Sequence, residues 1–246
     1  MVASHENRIG GGRFDRFSEP LRGNGESLAK RFQAASFAFQ RFVARRGMGP
    51  LPRRYAWKAA GELKAAAATQ QLRDPATAVH ERRVAALASA IAREMGLQEE
   101  QVEAIWIVGF VHDIGKIAVP AEILKTPGRL SRIQFDCVKQ HPRIGYEILK
   151  EMGFAEPLAE VVLHHHERLN GAGYPDGLVG DNVLFGARIL AVADVVEAIS
   201  SPRPYRPALR TEQALEAVVG KKGLLYDPQA VDACARLFDE ARFRLD

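Results

Sequence analysis

Cysteine is scarce in this chain: Cys137 and Cys234 are the only two in 246 residues. Two thiols so far apart provide neither a disulfide framework nor a cysteine zinc site, and they fit a reducing cytoplasm. Long apolar runs are missing as well. No stretch approaches the roughly 18 consecutive apolar residues of a membrane span, and the basic, polar start has no apolar core of a secretory signal. Arg8, Arg13, Arg16 and Arg22 give that start a faint transit-peptide character, which Glu6, Asp15, Glu19 and Glu26 contradict. No targeting signal is expected. Runs of alternating β-branched residues are absent too, so the expected fold class is all-α.

What is present begins with 47% hydrophobic content, enough for a substantial core. The net charge of +4 is unevenly spread: residues 1–79 carry +8 and residues 80–246 carry −4. The Gly- and Arg-rich residues 1–26 read as a flexible basic tail. Residues 27–73 read as a helical extension, in which Leu28, Phe32, Ala35, Phe39 and Phe42 recur at helical spacing beside Lys30, Arg31, Arg41, Arg45 and Arg46. Its functional reading is a membrane-surface, nucleic-acid or partner helix; its plain reading is a dimer contact or the remnant of a regulatory domain. No specific nucleic-acid motif occurs there.

From residue 74 to 246 the punctuation is that of one helical domain. Asp74 and Pro75 read as N-cap and first residue of a helix running through His80 to Met95 and stopped by Gly96. The apolar VEAIWIVGFV predicts a buried central helix ending at His112 and Asp113. Ser131 with Gln134 forms a capping box opening the helix that leads to His141. Further helices are expected at 143–152, 156–165, 184–200, 211–219 and 228–243, the last capped by Asp227 with Pro228 at its first position.

Six of the seven histidines fall between positions 80 and 166. His80, His112, Asp113, His141, His165, His166 and Asp194 read as a metal-ligand series, since imidazole is the commonest transition-metal ligand and a carboxylate can bridge two ions. Seven donors exceed one tetrahedral ion, so the count argues for two. Two metals about 3.5–4 Å apart can share a water, lower its pKa and clamp both oxygens of a phosphate ester, which makes phosphodiester hydrolysis the first functional expectation.

Residues 74–240 resemble the HD-GYP domain, a bacterial branch of the HD phosphohydrolase superfamily. The motifs that carry the likeness are HERRV (80–84), HDIGKIAVPAEIL (112–124), PGRLS (127–131), HPRIG (141–145), HHERLNGAGYPDGL (165–178), ARILAVADVVEAI (187–199) and RPYRP (203–207). The resemblance implies an HD-domain helical bundle that opens cyclic di-GMP to pGpG, and in some members onward to GMP. It implies that His80, His112, Asp113, His141, His165, His166 and Asp194 hold two divalent transition-metal ions, iron or manganese, with Asp113 bridging. It assigns Lys116 to phosphate contact or leaving-group assistance, Tyr174 to a guanine, and Arg203 and Arg206 to the ligand phosphates. Arginine suits that last task because it grips phosphate bidentately. Gly171, Gly173 and Pro175 read as devices that fix the loop's path.

Smaller readings accompany these. His164 is not carried over and reads as a helix-surface histidine. Arg83 reads as a structural residue, and Glu167 as a carboxylate orienting a ligand histidine or as a plain helix-end glutamate. Ala76 stands where some relatives place the carboxylate for a third metal, and Asn170 where many have aspartate. Residues 1–73 are too short for the receiver domain that often precedes the family. Two alternatives accompany the main reading: hydrolysis of another cyclic dinucleotide or nucleotide ester, and an adaptor whose GYP loop docks a diguanylate cyclase or other signalling partner.

Overall fold

A computed structural model describes residues 75–154, 156–201 and 210–245. The expected tail 1–26, extension 27–73, cap Asp74, the Ala76 side chain, and Arg203 and Arg206 lie outside the described residues. Within them the chain is helical, with no strand and only two isolated bridges, Asn170 with Val179 and Lys222 with Tyr226.

Helix α1 (Pro75–Glu94) begins on Pro75 and stops before Gly96, whose φ of 77° suits a residue without Cβ. Helix α2 (Glu99–Val111) buries Val102, Ile105, Ile107, Val108 and Val111, so apolar residues occupy most of its circumference. That is the pattern of a helix enclosed by others. A methyl at Gly109 would stand 2.8 Å from the Ala85 Cα, so this glycine lets α1 and α2 cross closely. A 3-10 turn (Ile114–Ala118) and the short α3 (Ala121–Leu124) follow.

Helix α4 (Arg132–Val138) is opened by the predicted box: Ser131 Oγ accepts from Gln134 N, and Gln134 Oε1 from Ser131 N. It stops at Val138, short of the expected length, and α5 (His141–Glu151) starts afresh at His141. Helices α6 (Glu156–His164), α7 (Phe185–Ser200), α8 (Thr211–Val219) and α9 (Pro228–Asp239) complete the bundle. Asp227 caps α9 through Gln229 N and Ala230 N, as read; the helix ends at Asp239 rather than 243, where Ala241 takes a φ of 50°.

The core lies where α1, α2 and α7 pack on one another and on α6 and α9, joining Leu87, Ile91, Ile105, Val108, Leu190 and Val196 among others. Each such side chain contributes about 1.5–3 kcal/mol. Helix α4 differs, since none of its residues is buried. Among the described residues no helix is long and apolar enough to cross a membrane.

Candidate metal centre

Helix ends build this site. The last carbonyls of an α-helix lack partners within it, and three histidines use that. His112 follows α2 and its Nδ1 lies 2.7 Å from the Gly109 carbonyl. His141 follows α4, with Nδ1 2.7 Å from the Val138 carbonyl, and His165 follows α6, with Nδ1 2.5 Å from the Val162 carbonyl. A carbonyl only accepts, so each Nδ1 carries a proton and each ring turns its Nε2 to the interior.

The fourth imidazole, His80 in the middle of α1, hydrogen-bonds through Nδ1 to the Glu197 carboxylate of α7. Ser201 Oγ donates to the same carboxylate, and Arg83 Nη1 lies 3.3 Å from Ser201 Oγ and 3.9 Å from Glu197 Oε1. Arg83 therefore supports the group that supports His80.

The 3-10 turn carrying Asp113 and Lys116 is seated by Gly115. A methyl there would lie 2.0 Å from the His141 carbonyl oxygen and 2.5 Å from Gly145 N, so the glycine brings Asp113 against the start of α5. The Asp113 carboxylate then faces two ways. Its Oδ2 is 3.6 Å from His80 Nε2 and 3.5 Å from His112 Nε2, while its Oδ1 is 3.2 Å from His141 Nε2. Asp194 Oδ1 stands 3.2 Å from His80 Nε2 and its Oδ2 3.9 Å from His166 Nδ1. All seven predicted residues are thus gathered, in three overlapping groups: His141, His165 and His166; His80, His112 and Asp194; His112, Asp113 and His165.

Their chemistry suits cations. The Nε2 atoms of His141 and His165 are 3.4 Å apart, facing each other while both Nδ1 atoms are engaged by carbonyls. That is the spacing of two nitrogens each about 2.1 Å from one shared ion at a near-tetrahedral angle. His112 Nε2 is buried and makes no hydrogen bond. Burial pushes His112 below the usual imidazole range and His165 and His166 well below it, which keeps them neutral. For Asp113, burial opposes ionisation but the Lys116 ammonium and neighbouring imidazoles outweigh it and hold the carboxyl well below the usual range. Asp194 follows the same pattern, with burial outweighed by the His80 hydrogen bond. His80 itself is raised to about 9, burial being overcome by the Asp194 and Glu197 carboxylates. The residues present fit a metal centre.

Around the cluster, several readings change. Lys116, read as a phosphate contact or leaving-group aid, stands at the cluster with its Nζ 2.5 Å from Asp113 Oδ2. Tyr174 lies against His166, ring centroids 4.8 Å apart, and burial pushes its phenol upward. Glu167 neither orients a ligand histidine nor sits exposed at a helix end. Buried at 1% exposure, it accepts the backbone N–H groups of Asp176, Gly177 and Leu178 at 2.7, 3.0 and 3.1 Å and so holds the GYP loop. His164 is half-buried, its Nε2 3.1 Å from Asp176 Oδ2, while Arg143 reaches Asp176 Oδ1 at 2.8 Å.

Within the loop, Gly171 has a φ of 79°, and Gly173 packs so closely on Glu167 that a methyl would be 2.4 Å from its Cα. The Tyr174–Pro175 peptide is cis. Asn170 Oδ1 accepts from Ala172 N at 3.1 Å, an Asx turn that aspartate would make equally. Sequence reasoning missed Glu197. Its only signal was a carboxylate three residues beyond Asp194, on the same face of α7.

Comparison with known proteins gives the family. The family model for the HD domain matches residues 67–230. The chain belongs to the HD-domain family. The cyclic di-GMP phosphodiesterase response regulator RpfG of Xanthomonas campestris pv. campestris is 43% identical over 168 residues, 68% of this chain and 44% of that protein. A cyclic di-GMP phosphodiesterase of Thermotoga maritima is 40% identical over 174 residues, 69% of this chain and 47% of that one. A 3'3'-cGAMP-specific phosphodiesterase 1 of Vibrio cholerae is 38% identical over 136 residues, 55% and 32% respectively. The chain therefore spans less than half the length of these curated relatives. Among solved structures, Bd1817, an HDG"Y"P protein from Bdellovibrio bacteriovorus, superposes with a TM-score of 0.58 at 15% identity, covering 91% of this chain and 75% of that one; it shows the shared HD-domain fold.

Proposed function

We propose that this HD domain is a metal-dependent phosphodiesterase that hydrolyses one phosphodiester of cyclic di-GMP to give linear pGpG. The observation that carries the reading is the Asp113 carboxylate, one oxygen turned to His80 and His112 and the other to His141. A carboxylate so disposed could serve two cation sites at once. His80, His112 and Asp194 would hold one ion and His141, His165 and His166 the other, iron or manganese suiting the family resemblance. When bound, such a pair supplies a water of lowered pKa and positive charge for the non-bridging phosphate oxygens.

The remaining steps belong to side chains. Lys116 keeps Asp113 ionised and stands where positive charge can relieve the leaving 3′-oxygen. Tyr174 offers a ring to a guanine beside the cluster, and Arg203 and Arg206, outside the described residues, are assigned to the phosphates. Glu167 fixes the loop that carries Tyr174. The reading places the protein in the cytoplasm as part of a signalling system that lowers the second messenger.

The kinship with a cGAMP-specific phosphodiesterase favours a second reading, in which the same chemistry acts on a different cyclic dinucleotide. Anaerobic purification, metal analysis and chromatography of cyclic di-GMP, 3'3'-cGAMP and a simple phosphodiester, with Asp113→Ala as control, test both. The expected result is close to two metals per chain and pGpG as first product, with both lost in the variant. Metal-replete protein that cleaves 3'3'-cGAMP and spares cyclic di-GMP gives the second reading precedence; metal without cleavage of any ester favours an adaptor.

A further inference from the structure

Helix α4 lies beside the metal centre yet contributes nothing to the core: none of its residues is buried. It nevertheless carries large apolar groups. Phe135 is 47% exposed and Ile133 is 84% exposed. Phe135 is not scattered at random over the surface. Its ring meets Tyr174 edge to face, centroids 6.4 Å apart, and Tyr174 in turn lies 4.8 Å from His166. An aromatic path thus runs from the histidine cluster through Tyr174 to an exposed ring on α4.

An ammonium held in an ion pair lies beside that ring. Lys139 Nζ is 5.3 Å from the Phe135 centroid, with Asp136 Oδ1 at 2.6 Å from the same nitrogen. An exposed aromatic next to a cation, continuous with a site for phosphodiesters, has the character of a nucleobase platform, because every base offers a π-face and the ligand backbone is anionic.

Resting on the phosphodiesterase reading above, we propose that Phe135 is a specificity-determining residue: its ring stacks on the second purine of a cyclic dinucleotide whose first purine is held at Tyr174. A ligand with two bases spans both rings, whereas a small phosphodiester engages only the cluster. Phe135 then contributes to substrate capture and leaves the chemical step alone.

The test uses metal-replete full chain and compares Phe135→Ala, Phe135→Trp and Ile133→Ala on cyclic di-GMP and on methyl p-nitrophenyl phosphate, which carries no purine. Stacking is worth enough that Phe135→Ala should raise KM for cyclic di-GMP about 10-fold with kcat within about twofold. Phe135→Trp should restore wild-type KM, and Ile133→Ala, two residues away on another face of α4, should leave it unchanged. Turnover of the small ester should be the same in all four proteins. An unchanged KM in Phe135→Ala overturns the proposal while leaving the phosphodiesterase reading intact, as does an equal loss on both substrates. If sedimentation shows that Phe135→Ala dissociates a dimer at unaltered KM, the ring is a contact between copies and the proposal fails. Wild-type protein that cleaves the small ester and no cyclic dinucleotide overturns the proposal and its parent reading together.

Discussion

Replacing Glu167 by glutamine tests whether one buried carboxylate governs the GYP loop. Its Oε1 accepts from Asp176 N and Gly177 N, and its Oε2 from Leu178 N at 3.1 Å. Glutamine keeps one acceptor oxygen and can serve two of these donors, but its NH2 group then faces the third N–H. The loss is one hydrogen bond to a carboxylate together with the weakening of the other two, about 2 kcal/mol in all. Because the segment closes on itself around this one side chain, the loss falls on local opening of residues 176–178 before it falls on the whole domain. Amide exchange at Asp176, Gly177 and Leu178 should therefore quicken about 30-fold, since each 1.4 kcal/mol or so is a factor of ten. Amides in α1 and α2, held by the core, should change far less. Mass-spectrometric exchange of a peptide covering the loop reads this directly. A rise below about threefold at those amides, with the rest of the domain unaltered, would refute the assignment of Glu167 as the loop's anchor.

Three further outcomes are expected. Glu197→Ala removes the partner of His80 Nδ1 and should weaken metal binding about 10- to 100-fold in competition with a chelator; an unchanged affinity means that His80 needs no such support. Gly115→Ala, with its methyl 2.0 Å from the His141 carbonyl oxygen, should lower stability by about 3 kcal/mol in urea unfolding, and a cost below about 1 kcal/mol would show that the turn and α5 separate easily. Hydrogen bonds from Arg242 and Arg236, each at 2.7 Å, hold the Glu94 carboxyl below its usual range. A lowered folded pKa stabilises above the unfolded value and ceases to do so as pH falls through the folded one, so Glu94→Gln should cost about 1 kcal/mol at pH 7, after screening of these partly exposed arginines, and progressively less as pH falls through the folded pKa. A pH-independent difference between the two proteins would contradict that linkage.

Helix limits and the residues that gather in the cluster were legible in the sequence because they depend on neighbouring residues or on a rare residue type. The Ser131–Gln134 box, Gly96 and the Asp227–Pro228 pair each act within a few positions and appear as read. Histidine is uncommon enough for six within one stretch to stand out. The supports were not legible. Glu197 reaches His80 across 117 positions, and its spacing of three from Asp194 is all that sets it apart from a surface glutamate in VADVVEA. Glu167 follows two ligand histidines, which suggested service to them, whereas the fold turns its carboxylate to backbone amides nine to eleven residues ahead. The continuous helix expected from Ser131 to His141 divides because Pro142 has no N–H to offer the Val138 carbonyl, which meets the His141 ring instead. The mark of that break was in the sequence, as a proline four residues after Val138, and side-chain periodicity alone does not register it.

The carbonyls of Gly109, Val138 and Val162, which fix three imidazoles, have a consequence for how this centre can change. They are main-chain groups, present whichever amino acid occupies the position, so a survey of point substitutions would pass over them. The centre is instead registered to three helix termini. An insertion or deletion that shifts where α2, α4 or α6 stops would rotate an imidazole away from its partners while leaving every ligand in place. A change of side chain leaves these carbonyls in being, even at Gly109 where packing on Ala85 resists one, whereas a change of helix length does not; only at His80, where Glu197 substitutes for a carbonyl, can a single side-chain replacement remove the support.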